Sequence, residues 1–156
     1  MAITSAFCSS FKQELLAMTP HTAADTYKFV LIKTGHAGTY GADTTNVGTP
    51  GSGAPSTSNL GTDAVAVSGD YNSVNGITLA GFAASLDTTT GVLTFTDPSA
   101  LTGTMISADG LIIYNSSRSN RACAVYAFPG APITSTGGNF DVNLPAATAA
   151  AGLIRI

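Results

Sequence analysis

ADGLIIYNSSRSNRACAVYAF, residues 108–128, is the stretch of the chain that decides its fold. Two apolar runs, 111–115 and 122–128, stand on either side of the polar segment SSRSNR. Both runs are rich in β-branched and aromatic residues, and a short polar turn between two such runs predicts an antiparallel hairpin. The Asp109-Gly110 pair predicts a break in the chain before the first of these strands.

Further strand signals lie on both sides of this hairpin. Short apolar or alternating runs, separated by Gly, Pro, Asn and Asp, predict seven to nine strands in all. They are TYKFVLIK (26–33), AVAVSG (64–69), GITLAGFAASL (76–86), VLTFTD (92–97), GNFDVNLP (138–145) and GLIRI (152–156). We therefore expect a mainly β protein, an antiparallel β-sandwich or a jelly-roll-like barrel, with residues 1–156 forming a single domain.

The N-terminal segment, residues 1–20, predicts the one α-helix. Phe7, Phe11, Leu15 and Met18 recur at helical spacing over residues 4–18, and Pro20 stops the helix. A helix this short needs a docking partner, which is either the sheet of its own domain or a neighbouring subunit.

GHAGTYGADTTNVGTPGSGAPSTSNLG, residues 35–61, is a long loop rich in Gly, Ser and Thr whose only charged residue is Asp43. No apolar periodicity runs through it. Loops of this length inside a domain are usually functional or disordered. We expect a pliable arm that presents Tyr40 and fastens onto neighbouring molecules.

Composition limits the classes of function. Charged residues make up only 10% of the chain, and its net charge of −3 argues against nucleic acid as a ligand. A surface with so few charges is poorly protected against association, which favours a subunit that partners cover. No targeting signal and no apolar run long enough to span a membrane is visible, so we expect no membrane partner. Cys8 and Cys123 predict two buried, reduced thiols.

Residues for catalysis do not cluster in the sequence. His21 and His36 lack metal-ligand spacing, and Gly51-Ser52-Gly53 lacks the Gly-Lys-Ser/Thr that completes a phosphate loop. The acidic residues stand mostly in turns, where Asp bonds to nearby backbone. We therefore expect no catalytic, metal or cofactor site, and a protein that is not an enzyme.

MAITSAFCSSFKQELL, DTYKFVLIK, ADGLIIYNSSRSNRACAVYAF and GNFDVNLPAATAAAGLIRI together resemble a group of small virion structural proteins of tailed bacteriophages. The resemblance implies a particle component assembled in a bacterial cytoplasm. Its first candidate role is a capsid decoration (cement) protein that braces the lattice of the major capsid protein, expected to be a homotrimer.

Two other roles stay open: a tail or baseplate adaptor or fibre-base subunit, and a receptor- or glycan-binding module of the virion. Copy number separates a decoration protein from an adaptor. In each case the expected partner contacts are Phe7, Phe11, Leu15, Tyr40, Arg118 and Arg121.

Overall fold

A computed structural model describes all 156 residues as nine strands, one α-helix and two 3-10 turns. In chain order these are β1 (Ala6–Phe7), α1 (Ser9–Leu16), β2 (Tyr27–Lys33), a 3-10 turn (Gly61–Asp63), β3 (Ile77–Leu79), β4 (Ala83–Asp87), β5 (Thr90–Thr94), β6 (Leu101–Asn115), a 3-10 turn (Ser116–Arg118), β7 (Arg121–Ala127), β8 (Ile133–Phe140) and β9 (Ile154–Arg155). Strands dominate and pair antiparallel, which confirms the predicted class.

The larger sheet has six strands and is built around β6. Its order is β1-β7-β6-β2-β3, and β8 pairs with the first half of β6. The predicted hairpin is present, with Leu111 opposite Tyr126 and Ile113 opposite Ala124. Asn115 Oδ1 accepts a hydrogen bond from the Ser117 amide and so fixes the turn between β6 and β7.

The smaller sheet has three strands in the order β4-β5-β9, and β9 comes from the end of the chain. It packs beside the larger sheet through aromatic residues. The ring of Tyr27 in β2 lies 5.3 Å, between centroids, from both Phe82 and Phe95, which flank β4 and β5. The two sheets remain separate, so the fold is sandwich-like.

Strand β2 lies in the centre of the core. Phe29, Val30, Leu31 and Ile32 are all fully buried. Successive side chains of a strand point to opposite faces, so both faces of the larger sheet are covered. The smaller sheet packs on the face that carries Tyr27. The segment that follows β2 bonds to the edge of β7 through residues 45–47 and to the edge of β2 through Ala64 and Val65, so it crosses the larger sheet between them.

That segment corrects the prediction of a pliable arm over residues 35–61. Tyr40, Val47 and Leu60 are fully buried and belong to the same core cluster as β2. Backbone bonds tie the segment to the start of β7, from Val47 N to Asn120 O (3.1 Å) and from Ala122 N to Thr45 O (3.2 Å). The arm is therefore a folded cover of the sheet.

The helix is shorter than the predicted span of residues 4–18. It begins at Ser9, with Cys8 as its N-cap residue, and ends at Leu16. Phe7 lies instead in β1, opposite Ala124 of β7, because the open edge of β7 pairs with the chain there. Met18 has a positive φ of 57°, which takes the chain out of the helix before Pro20.

Other predicted strands also differ from the structure. Residues 64–69 form only isolated bridges, and residues 76–86 split at Gly81 into β3 and β4, which belong to different sheets. The Asp109-Gly110 pair does not break β6, which continues from Leu101 to Asn115.

Of the predicted strand over residues 138–145, only residues 138–140 lie in a strand, where they form the end of β8. Its alternation nevertheless holds, because Phe140 and Val142 are buried while Asp141 and Asn143 are exposed.

Candidate assembly surface

Helix α1 has a buried side and an exposed side. Phe11 is buried, with 3% exposure, and Leu15 one turn later is half-buried on the same side. The Phe11 ring meets the ring of His21 edge to face at a centroid distance of 4.8 Å. Leu16 points the other way and is 86% exposed.

Between α1 and β9 lies an open apolar cleft, here called the α1–β9 cleft. It consists of two adjoining cavities of about 270 and 210 Å³. Phe11, Leu15, Ile154 and Ile156 line both of them. The helix and the smaller sheet therefore do not close against each other, and unfilled space remains between their apolar side chains.

Large apolar side chains stand exposed at the rim of this cleft. Leu16 is 86%, Ile156 77% and Leu86 73% exposed. Leu86 lies opposite Gly91, and Gly91 exchanges two backbone hydrogen bonds of 2.9 Å with Ile156. Leu86 and Ile156 thus project from one face, two strand spacings or roughly 10 Å apart, with no side chain between them.

The charged residues of the cleft are basic. Lys12 and Arg155 line its first cavity, and no acidic side chain does. Lys12 makes no ion pair. Arg155 Nη1 donates to the carbonyl oxygens of Ala149 (3.2 Å) and Ala150 (2.7 Å), which holds the guanidinium in place. The cleft is therefore apolar inside and positively charged at one edge.

A chain of polar contacts holds the end of α1 to the larger sheet. Arg121 Nε lies 2.8 Å from Glu14 Oε1, and Glu14 Oε2 lies 2.8 Å from His21 Nε2. The Nδ2 of Asn115 donates to His21 Nδ1 at 3.1 Å, since its Oδ1 already accepts from the Ser117 amide. His21 Nδ1 is thus an acceptor, and its Nε2 carries the hydrogen that it donates to Glu14.

The same contacts continue to Asp25 and Arg118. Asn115 Nδ2 also donates to Asp25 Oδ2 at 2.9 Å, and Arg118 Nε lies 3.4 Å from that oxygen. Burial acts to raise the pKa of Asp25, but the hydrogen bonds from Asn115 and the Thr22 amide and the charge of Arg118 outweigh it, so the pKa is lowered. These groups are engaged with one another and position the helix.

The thiols of Cys8 and Cys123 are buried and unreactive. Cys8 and Cys123 are fully buried and unpaired, as predicted. Burial raises the pKa of Cys8 to about 12 and also raises that of Cys123. Because the thiolate is the reactive form, neither side chain is a nucleophile near neutral pH.

Tyr40, expected at a partner contact, lies in the interior instead. Its hydroxyl donates to Asp63 Oδ2 at 2.7 Å, and Asp63 also accepts from the Ala37 (2.9 Å) and Gly38 (2.7 Å) amides. Burial raises the pKa of Tyr40 above its ordinary value. Tyr40 therefore attaches residues 35–61 to the fold and is removed from the candidate partner contacts.

The other expected contacts divide into two groups. Phe7, Phe11 and Leu15 come together at the α1–β9 cleft, although Phe11 is too deeply buried to do more than form its floor. Arg118 and Arg121 lie in the polar chain behind the helix. Whether any of these side chains touches a partner stays a prediction.

Sequence reasoning missed the other residues that line the first cavity, which are Lys12, Leu16, Ile154, Arg155 and Ile156, and it also missed Leu86 at the rim. Leu16 lies off the apolar stripe of the helix, and the others come from distant parts of the chain. Only the apolar run at residues 152–156 was recognised, and it predicted a strand without showing which strand it pairs with.

Comparison with known proteins adds no relative, because no family model, curated protein or solved structure matches the chain. The single α-helix is too short to cross a membrane.

Proposed function

We propose that this chain is a structural subunit of a tailed-phage virion, a capsid decoration protein that binds the major capsid lattice. The observation that supports the proposal is the α1–β9 cleft with its exposed rim of Leu16, Leu86 and Ile156. The resemblance of the sequence to small phage structural proteins supplies the kind of particle.

The rim offers enough apolar surface for association. Full burial of a side chain such as Leu or Ile contributes about 1.5–3 kcal/mol, so the three rim residues together offer roughly 5–9 kcal/mol. Association costs of similar size reduce the net gain for one contact. On a repeating lattice several such contacts act together, and weak single contacts suffice for stable attachment.

The test is the location and copy number of the protein in particles of the phage that encodes it. Quantitative mass spectrometry of gradient-purified particles, together with antibody labelling in the electron microscope, gives both. We expect on the order of hundreds of copies on the head exterior, as lattice binding requires. Absence from the particle contradicts the proposal, and a single ring of copies at the tail replaces it with the adaptor role.

Two matched variants connect the result to the cleft. Leu16→Asp places a charge on the rim, and Val74→Asp does the same at a residue that is 61% exposed and lies outside the cleft. We expect Leu16→Asp to reduce incorporation at least tenfold and Val74→Asp to leave it unchanged. Equal incorporation of both variants contradicts a role for the cleft.

A further inference from the structure

A second exposed apolar site lies on the first half of β6. Met105 is 73% and Val67 56% exposed. The Met105 amide donates to Ser68 Oγ at 2.8 Å, so the segment that carries Val67 lies against β6 at Met105. We call this pair the 67/105 knob.

An acidic residue flanks the knob. Asp70 is exposed, and its position is fixed because the Thr102 amide donates to its carboxylate (3.1 Å) and its own amide donates to Thr102 O (3.1 Å). The carboxylate has no cationic partner. The knob is thus an apolar projection with a fixed negative charge beside it.

The knob and the α1–β9 cleft are both apolar, and they carry opposite charges at their edges. The cleft is an apolar hollow edged by Lys12 and Arg155, and the knob is an apolar projection edged by Asp70. Within one molecule they do not meet. Met105 is ten residues, or roughly 30 Å of strand, from Asn115, which contacts the cleft residue His21.

We propose that the α1–β9 cleft of one copy receives the 67/105 knob of a second copy. This interface joins two different surfaces, so repeating it closes a ring or extends a chain of subunits. A ring of three copies is the homotrimer expected of a decoration protein. The inference rests on the proposed function and goes beyond it: the cleft joins copies of this chain to one another, and the joined copies bind the lattice together as one multivalent unit.

The experiment is sedimentation velocity of the whole chain over a range of concentrations. Four samples are compared with the unaltered protein: Met105→Asp, Leu16→Asp, an equimolar mixture of these two variants, and Val74→Asp as the control. All three altered side chains are more than 60% exposed, so the fold tolerates the changes. Circular dichroism melting verifies that each variant is folded.

We expect the unaltered protein and Val74→Asp to form oligomers, and each of the other two variants to dissociate at least tenfold more readily. The mixture of Met105→Asp and Leu16→Asp tests most directly whether the cleft of one copy binds the knob of another. Met105→Asp keeps an intact cleft and Leu16→Asp keeps an intact knob, so together they form one good interface and a heterodimer. A charge reversal, Lys12→Glu, is expected to weaken association several-fold.

Three results overturn the inference. They are a monomer at all concentrations up to about 100 µM, association of Met105→Asp equal to that of the unaltered protein, and a mixture that stays monomeric. Failure of the proposed function looks different. In that case the oligomers form and depend on both surfaces, but the protein is absent from the virion.

Discussion

Replacing Asp63 with Asn tests whether residues 35–61 are a fixed part of the fold. Asp63 is 1% exposed and accepts hydrogen bonds from the amides of Ala37 and Gly38 and from the Tyr40 hydroxyl, with Lys33 Nζ 3.9 Å away. Asn has the same shape but only one acceptor oxygen, so its NH₂ group faces at least one of these donors.

The expected cost follows from those contacts. A hydrogen bond to a charged group contributes about 1.5–3 kcal/mol, and a buried donor left without a partner adds about 1–3 kcal/mol. Part of the network survives with the remaining oxygen, so we expect Asp63→Asn to lower the free energy of unfolding by about 2–4 kcal/mol. For a chain of this length that lowers the melting temperature by roughly 5–15 °C.

Acid provides a second measure of the same contacts. Burial acts to raise the pKa of Asp63, but the Ala37 amide, the Tyr40 hydroxyl, the Gly38 amide and Lys33 outweigh it, so the folded-state pKa lies below the ordinary value of 3.8. A lowered pKa stabilises the fold above the unfolded-state value, and this contribution is lost as the pH falls through the folded-state pKa. The difference between the unaltered protein and Asp63→Asn should therefore shrink below about pH 4.

Urea unfolding at pH 7 and at pH 3 measures both effects. Asp43→Asn is the matched control, because Asp43 lies within residues 35–61 but is exposed and makes no hydrogen bond or ion pair through its side chain. We expect that change to stay within about 0.5 kcal/mol. Equal unfolding midpoints for Asp63→Asn and the unaltered protein at pH 7 would refute the reasoning.

Three further predictions concern the core and the turns. Phe11→Ala should cost about 3–5 kcal/mol in urea unfolding, because the ring is 3% exposed, and a cost under about 1 kcal/mol would mean that α1 does not pack there. Asn59→Ala should cost about 1–3 kcal/mol and speed amide exchange at Thr49, whose amide donates to Asn59 Oδ1 at 2.8 Å; unchanged exchange would disprove that contact. Cys8 and Cys123 should resist a thiol reagent at pH 8 until denaturant is added, and immediate labelling would show that they are accessible.

The sequence predicted those parts of the fold in which apolar pattern and local turn chemistry agree. The hairpin of β6 and β7 is the clearest case, because two apolar strands and the polar turn between them all lie within 21 residues. Strand β2 was also predicted, since its run of four buried residues leaves no polar face.

Residues 35–61 were misread because glycine has two opposite uses. It makes linkers flexible, but it also allows tight turns and close backbone contacts. Gly61 has a positive φ of 52°, and a Cβ there would collide with the carbonyl oxygen of Gly53. Gly110 has a similar role in β6, where its missing side chain lets the Tyr126 carbonyl approach. Composition alone does not separate these uses.

The candidate surface could be predicted only in part. The stripe of Phe7, Phe11 and Leu15 indicated an apolar face on the helix, and all three line the cleft. The opposite wall comes from β9, well over a hundred residues later, and no local pattern links the two. Leu16 and Met105 are apolar but exposed, so a periodic pattern of buried apolar residues does not identify them.

The most direct test of the central claim is a cryo-electron microscopy reconstruction of the phage particle at a resolution that shows side chains. We predict density for this chain on the head exterior, with an apolar side chain of a neighbouring subunit seated between Leu15 and Ile154 in every copy. A chain missing from the map, or a cleft that faces only solvent in all copies, would contradict the account.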